Sequence, residues 1–133
     1  MTSTLTISSD LKDLAQVERF VEDICSHYNL PRDIYGNILV SLSEAASNAI
    51  LHGNKSSAEK RVEITSALND SEQLLIFEIK DEGCGFDYKA LPDPISPQNI
   101  SRENGRGVFL MNMLADSVAY SDNGSTVALK FKI

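Results

Sequence analysis

At 133 residues, with 42% hydrophobic and 23% charged residues, the chain has the composition of one soluble globular domain spanning residues 1–133. That length buries about two thirds of the unfolded surface without covalent staples, and general disorder is excluded. Twelve basic against nineteen acidic residues leave a formal charge of −7, which disfavours general attraction to nucleic acid or anionic lipid and suits a partner with a basic surface. The two cysteines, Cys25 and Cys84, are too few for a disulfide framework, and His27 and His52 provide no zinc-ligand spacing. The opening MTSTLTISSD lacks the basic-then-apolar layout of a signal peptide, and no window approaches about 18 consecutive apolar residues. The reading is a cytoplasmic protein with no membrane span.

Thr4 to Ser8 alternates Leu5 and Ile7 with hydroxyl residues, the pattern of a short strand with one buried face. Ser9 or Asp10 is placed to cap the helix that follows. Leu14, Val17, Val21, Ile24 and Tyr28, widened by Phe20, recur at helical spacing and predict a helix lying on a sheet. Asn29-Leu30-Pro31 breaks it, and Pro31 suits the first turn of a second helix, where its missing N–H costs nothing.

That second helix is predicted to run to His52, with Gly53 as the residue past its end. At about 100° per residue, Ile38, Leu39, Leu42, Ala45, Ala46, Ala49 and Ile50 share one apolar face. Glu44 and Asn48 fall together at its margin, one turn apart. His52 near the C-terminus is favoured by the helix dipole with or without a ligand.

Asn54 to Lys60 reads as a polar loop. Arg61–Leu68 and Leu74–Lys80 read as strands joined by a turn at Asn69-Asp70-Ser71-Glu72. The run Leu74 to Ile79 predicts burial on both faces and a central place in the sheet. Residues 87–104, with Pro92, Pro94 and Pro97, suggest a lid over a site. Val108 to Ala115 reads as a third helix, and Ser117–Tyr120 with Thr126–Ile133 as a closing hairpin. The order βααββ, lid, αββ predicts an α+β two-layer sandwich: a mainly antiparallel, mixed five-stranded sheet with three helices on one face.

Familiar chemistry is absent: there is no Gly-x4-Gly-Lys-Ser/Thr loop, no Gly-x-Ser-x-Gly elbow and no His-Glu-x-x-His. Gly83-Cys-Gly85 follows a strand as a dinucleotide turn would, but prolines follow it in place of a helix. The remaining motifs suit a nucleotide. Asp81 at a strand end is an acceptor for an exocyclic amine such as adenine N6, and Gly83 and Gly85 let backbone approach a flat ring. Gly105 and Gly107 at a helix start would present backbone N–H groups to phosphate, with Arg106 and Arg102 adding charge. A triphosphate brings Mg²⁺, for which the Asn48 side-chain oxygen is one ligand. Glu44, a turn earlier, is placed to deprotonate an attacking hydroxyl or water.

Glu44-Ala-Ala-Ser-Asn48-Ala, Asp81-Glu-Gly-Cys-Gly85-Phe86, Gly105-Arg-Gly-Val-Phe-Leu-Met111 and Gly124-Ser-Thr126 together resemble the four ordered boxes of the Bergerat-fold ATPases, the superfamily of gyrase, histidine kinases and heat-shock chaperones. The short chain, Asn48-Ala-Ile-Leu-His-Gly53 and Gly107-Val-Phe-Leu-Met111 are most similar to bacterial anti-sigma factors that are also serine-protein kinases. The resemblance implies a homodimer that sequesters a sigma factor and uses ATP and Mg²⁺ to phosphorylate a serine of an anti-anti-sigma antagonist. It implies Glu44 as catalytic base and Asn48 as magnesium ligand. Adenine would lie against Asp81, Gly83 and Gly85, phosphates on the backbone of Gly105, Arg106, Gly107, Val108 and Phe109, and Thr126 near the base. Two departures stand out. Leu51 occupies the position where sensor histidine kinases carry a basic residue, and Arg106 is bulkier than the small or apolar residue usual between these glycines. A non-catalytic regulatory binding module, gated by nucleotide or independent of it, is the competing reading.

Overall fold

The computed structural model describes residues 2–83 and 103–133, with the side chains of 103–108 outside that description. Five strands, β1 (Thr2–Ser8), β2 (Arg61–Asn69), β3 (Leu74–Lys80), β4 (Ser117–Ser121) and β5 (Thr126–Lys132), form a sheet in the order β1-β2-β3-β5-β4. Every neighbouring pair is antiparallel, so the sheet contains no parallel pair among the described strands. Helices α1 (Leu14–His27), α2 (Arg32–Asn48) and α3 (Glu103–Leu114) make the other layer, with α2 packed between α1 and α3.

The register shows how one face became the core. Ile7 faces Val62, Ile64 faces Ile79, Phe77 faces Leu129 and Leu75 faces Phe131. All eight are buried, and they meet Val17, Val21, Ile38, Leu42, Ala46 and Ile50 from the helices. Each Ile or Leu so buried contributes roughly 1.5–3 kcal/mol of hydrophobic stabilisation. The other face carries Thr4, Thr6, Glu63, Thr65, Glu78, Lys80, Lys130 and Lys132. β3 is central, as predicted, but its burial is not two-sided. Leu75, Phe77 and Ile79 are buried, Leu74 and Ile76 only half so, and Glu78 is exposed. An antiparallel sheet with helices on one side leaves the other face to solvent.

Local chemistry places the helices. The Asp10 side chain accepts from the Lys12 N–H at 3.0 Å and caps a short 3-10 turn that leads into α1. Asn29 adopts φ 54°, ending the α1 connection, and Pro31 stands at the N-cap of α2. The end of α2 differs from the predicted one. Past Asn48 the chain widens into a π turn over Ala49–Gly53, closed by an Asn54 N–H to Ala49 C=O bond of 2.8 Å. The left-handed residues lie further on, at Lys55 and Ser56 with φ 52° and 56°. Gly53 is thus not needed for a left-handed C′ position; it is needed for space, as the site shows.

Candidate functional site

Two chain segments meet where α2 ends and β3 ends, and the fit between them is close. A Cβ on Gly53 would stand 2.3 Å from Asp81 Oδ2, and a Cβ on Gly83 would stand 2.1 Å from the Gly53 carbonyl oxygen. Only residues without a side chain allow this approach. The contact brings the acid-and-amide helix to Asp81, because Asn48 precedes Gly53 by less than about 8 Å of helix axis. Asn48 and Glu44 are half-buried on the same helix. The end of the helix that carries residues 44–48 and the turn at 81–83 therefore meet at one end of the sandwich.

Asp81 is fixed on both sides. Its N–H donates to the Ser125 carbonyl at 2.9 Å, and its Oδ1 accepts the Gly83 N–H at 2.8 Å. Burial holds its carboxyl above the ordinary carboxylate value, with the Gly83 N–H and the Lys60 charge pulling back only in part. A half-buried acceptor whose second oxygen is not tied by the turn is chemically suited to an amine-bearing ring.

Asn54, read from sequence as loop, is fully buried and forms a three-way junction beside this turn. Its Oδ1 accepts the Glu82 N–H at 2.7 Å, while Nδ2 donates to Ser9 Oγ at 2.9 Å and to the Arg61 carbonyl at 3.0 Å. Ser9 Oγ in turn donates to the Lys60 carbonyl at 2.8 Å. The Arg61 N–H is held by the Glu82 carboxylate. An N–H on one side and two oxygens on the other admit a single orientation of the amide. The only hint in the sequence was a polar residue directly after a helix-ending glycine, which any loop would supply.

The other predicted residues fall as follows. Thr126 is buried, its hydroxyl donating to Asp122 Oδ2 at 2.9 Å. It pairs with Lys80 and Ser121 and so shares their face, opposite to Val127; the chain bond to Ser125, which holds the Asp81 N–H, is its link to the site. Helix α3 starts at Glu103, earlier than predicted, so Gly105 and Arg106 lie within its first turn and Gly107, Val108 and Phe109 beyond it. Only the first four N–H groups of a helix are uncommitted, so the ladder claims those of Gly107, Val108 and Phe109. Phe109 is half-buried and Met111 joins the core. His52 is exposed in the π turn. Gly85, Phe86, Arg102 and the predicted lid up to residue 102 lie outside the described residues.

An acid-and-amide helix, a strand-end aspartate between glycines, and a helix N-terminus on one face of an antiparallel sheet define a nucleotide-binding α+β domain. The chain belongs to the histidine kinase-like ATPase domain family, whose model matches residues 7–131. It is similar to the serine-protein kinase RsbW of Staphylococcus epidermidis, 31% identical over 97 residues, which is 68% of this chain and 60% of that one. RsbW of Bacillus cereus strain B4264 is 26% identical over 132 residues, 94% of this chain and 81% of the relative. Among solved structures, the RsbU and RsbW domains of Rv1364c from Mycobacterium tuberculosis superpose with TM-score 0.69 at 13% identity, over 99% of this chain and 32% of that one. A histidine kinase domain from the Erythrobacter litoralis blue-light activated kinase gives TM-score 0.54 at 18% identity, over 93% and 59%. These two likenesses establish the shared fold. Among the described residues no helix is long and apolar enough to cross a membrane, and no group of three or more His, Cys, Asp or Glu side chains is gathered as a metal cage.

Proposed function

We propose that this chain is an ATP-binding anti-sigma factor and serine-protein kinase of the cytoplasm, acting as a homodimer that sequesters a sigma factor and phosphorylates an anti-anti-sigma antagonist. The observation that carries the reading is the Gly53–Asp81–Gly83 approach, which supports a site between the end of the helix bearing Glu44 and Asn48 and Asp81, an acceptor suited to adenine. Similarity to proteins named serine-protein kinase RsbW supports serine as the phosphoacceptor.

In this reading Asp81 accepts a hydrogen bond from the adenine amine, and Gly53 and Gly83 let the end of α2 close onto the Asp81 turn. The N–H groups of the first turn of α3 face the phosphates. Asn48 offers its amide oxygen to Mg²⁺, a hard ion that takes one or two protein oxygens and fills its shell with phosphate and water. When bound, the ion neutralises charge on the phosphates. Glu44 accepts the proton of the attacking serine hydroxyl, whose oxygen forms the new bond to the γ-phosphorus as the bond to the bridging oxygen breaks and ADP departs.

Incubation with labelled ATP, Mg²⁺ and the antagonist tests the enzyme. Glu44→Ala is expected to lower transfer by roughly 10²–10⁴-fold, the share typical of a general base, with nucleotide affinity preserved. Undiminished transfer removes Glu44 from its role. The commitment of the Gly107 to Phe109 amides to the α3 ladder favours a second reading, a regulatory module that binds partner without phosphoryl transfer. Calorimetric binding of ATP or ADP with no transfer to any antagonist selects it.

A further inference from the structure

The geometry points to Asn54 as a positioning residue for purine recognition: through its buried amide it sets where the Asp81 carboxylate stands against the end of α2. The inference rests on the nucleotide reading above and adds to it a residue outside the four motifs.

The requirement is mechanical. The Asp81 carboxylate lies so close to the Gly53 backbone that a single methyl group would overlap it. The two segments must therefore be registered to a few tenths of an ångström, and interiors packed at crystal-like density transmit small shifts. The β2–β3 pair hydrogen-bonds within itself and meets α2 through apolar core packing, which is non-directional and leaves the final register to a polar tie. Asn54 supplies it. Its backbone N–H closes the π turn on Ala49, so it moves with the end of α2. Its side-chain oxygen holds the Glu82 N–H, the peptide that directly follows Asp81. Its amide nitrogen holds the Arg61 carbonyl at the start of β2 and the Ser9 hydroxyl beyond the end of β1. One residue thus ties the helix end to three strand ends, with its side-chain oxygen and both amide hydrogens engaged and no exposure to solvent.

Removal of the amide leaves buried partners unpaired and frees the Glu82 peptide. The Asp81 carboxylate then drifts relative to Gly53, and the hydrogen bond that distinguishes adenine from guanine is the first to weaken. Phosphate contacts, made at the start of α3, do not pass through Asn54. The signature is a loss concentrated in base selectivity.

The test measures ATP and GTP affinities by calorimetry, with Mg²⁺, on the full chain and on Asn54→Ala, Ser9→Ala and Val17→Ala. Val17 is buried in the α1 core, and its truncation serves as a control for lost stability alone. Melting curves accompany each titration. Asn54→Ala is expected to weaken ATP by about tenfold or more and to narrow the ATP over GTP ratio. Ser9→Ala, which removes one of the three side-chain bonds and leaves the Glu82 bond in place, is expected to do so by roughly a third to a half as much on a logarithmic scale. Val17→Ala is expected to lower melting and keep the ratio. If Asn54→Ala does not fold, Ser9→Ala decides. Unchanged affinity and ratio in Ser9→Ala and Asn54→Ala, or a loss that follows melting as in Val17→Ala, overturns the inference and leaves the nucleotide reading standing. A parent chain that binds neither nucleotide overturns both.

Discussion

The two halves of α2 are specified to very different degrees. Near its start, a Cβ on Gly36 would meet nothing within 4 Å, and in its middle Ser41 buries a hydroxyl that no described group engages. Past its end, Gly53 has no room for a methyl, and the oxygen and both hydrogens of the Asn54 amide are engaged. Where the helix only packs, residue choice is forgiving; where it meets Asp81, space and polarity are both prescribed. That gradient is what a site imposes on a scaffold.

The sharpest way to break the contrast is Gly83→Ala. The new Cβ meets a backbone carbonyl that cannot swing aside, so a stability loss of about 3 kcal/mol is expected in urea unfolding; a loss below about 0.5 kcal/mol would mean the junction is as tolerant as the Gly36 region. Asp81→Asn comes next, with opposite effects on binding and on folding. Nucleotide binding should fall below detection in calorimetry. The apo fold should hold or gain, since burial raises the Asp81 pKa. The sign follows from proton counting. A carboxyl with a raised native pKa is protonated more in the folded state than in the unfolded one. Stability therefore falls as pH rises from the ordinary carboxylate value through the native one, and the cost is fully present above it. Denaturation midpoints of the parent across that window should decline with pH, and those of Asp81→Asn should decline less.

Ser41→Ala probes the tolerant half. An unpaired buried hydroxyl costs roughly 1–3 kcal/mol in desolvation, so its removal should stabilise by about 1 kcal/mol, read as a higher melting temperature. Gly36→Ala is the smallest effect: about 0.5–1 kcal/mol of added stability from helix propensity alone, with ATP affinity unchanged.

Much of this architecture is written locally. The alternation of Leu75, Phe77 and Ile79, the stripe of Val17, Val21 and Ile24, and the turns at residues 70–73 and 122–124 each sit within a few residues of the element they specify. What the chain concealed depends on distance along it. Asn54 gains its partners from Ser9, 45 positions away, and Glu82, 28 positions away, and no local pattern announces such bonds. Gly53 reads as a helix terminator because that is the common use of glycine there, whereas its true constraint arrives from Asp81. The early start of α3 was hidden by Gly105 and Gly107, which are poor interior residues and look like an entrance. The polar face of β3 was masked by Leu74 and Ile76, apolar side chains that remain half-exposed.

The bond from Asn54 to Ser9 also bears on how the polypeptide can be cut and joined. Residues 2–9 contain none of the nucleotide motifs, yet the residue directly after β1, Ser9, carries the hydroxyl that steadies the amide junction. An expression fragment trimmed to begin at α1 would lose that brace along with an edge strand, so a purification tag belongs ahead of Thr2 or after Ile133, and never in place of the leading strand.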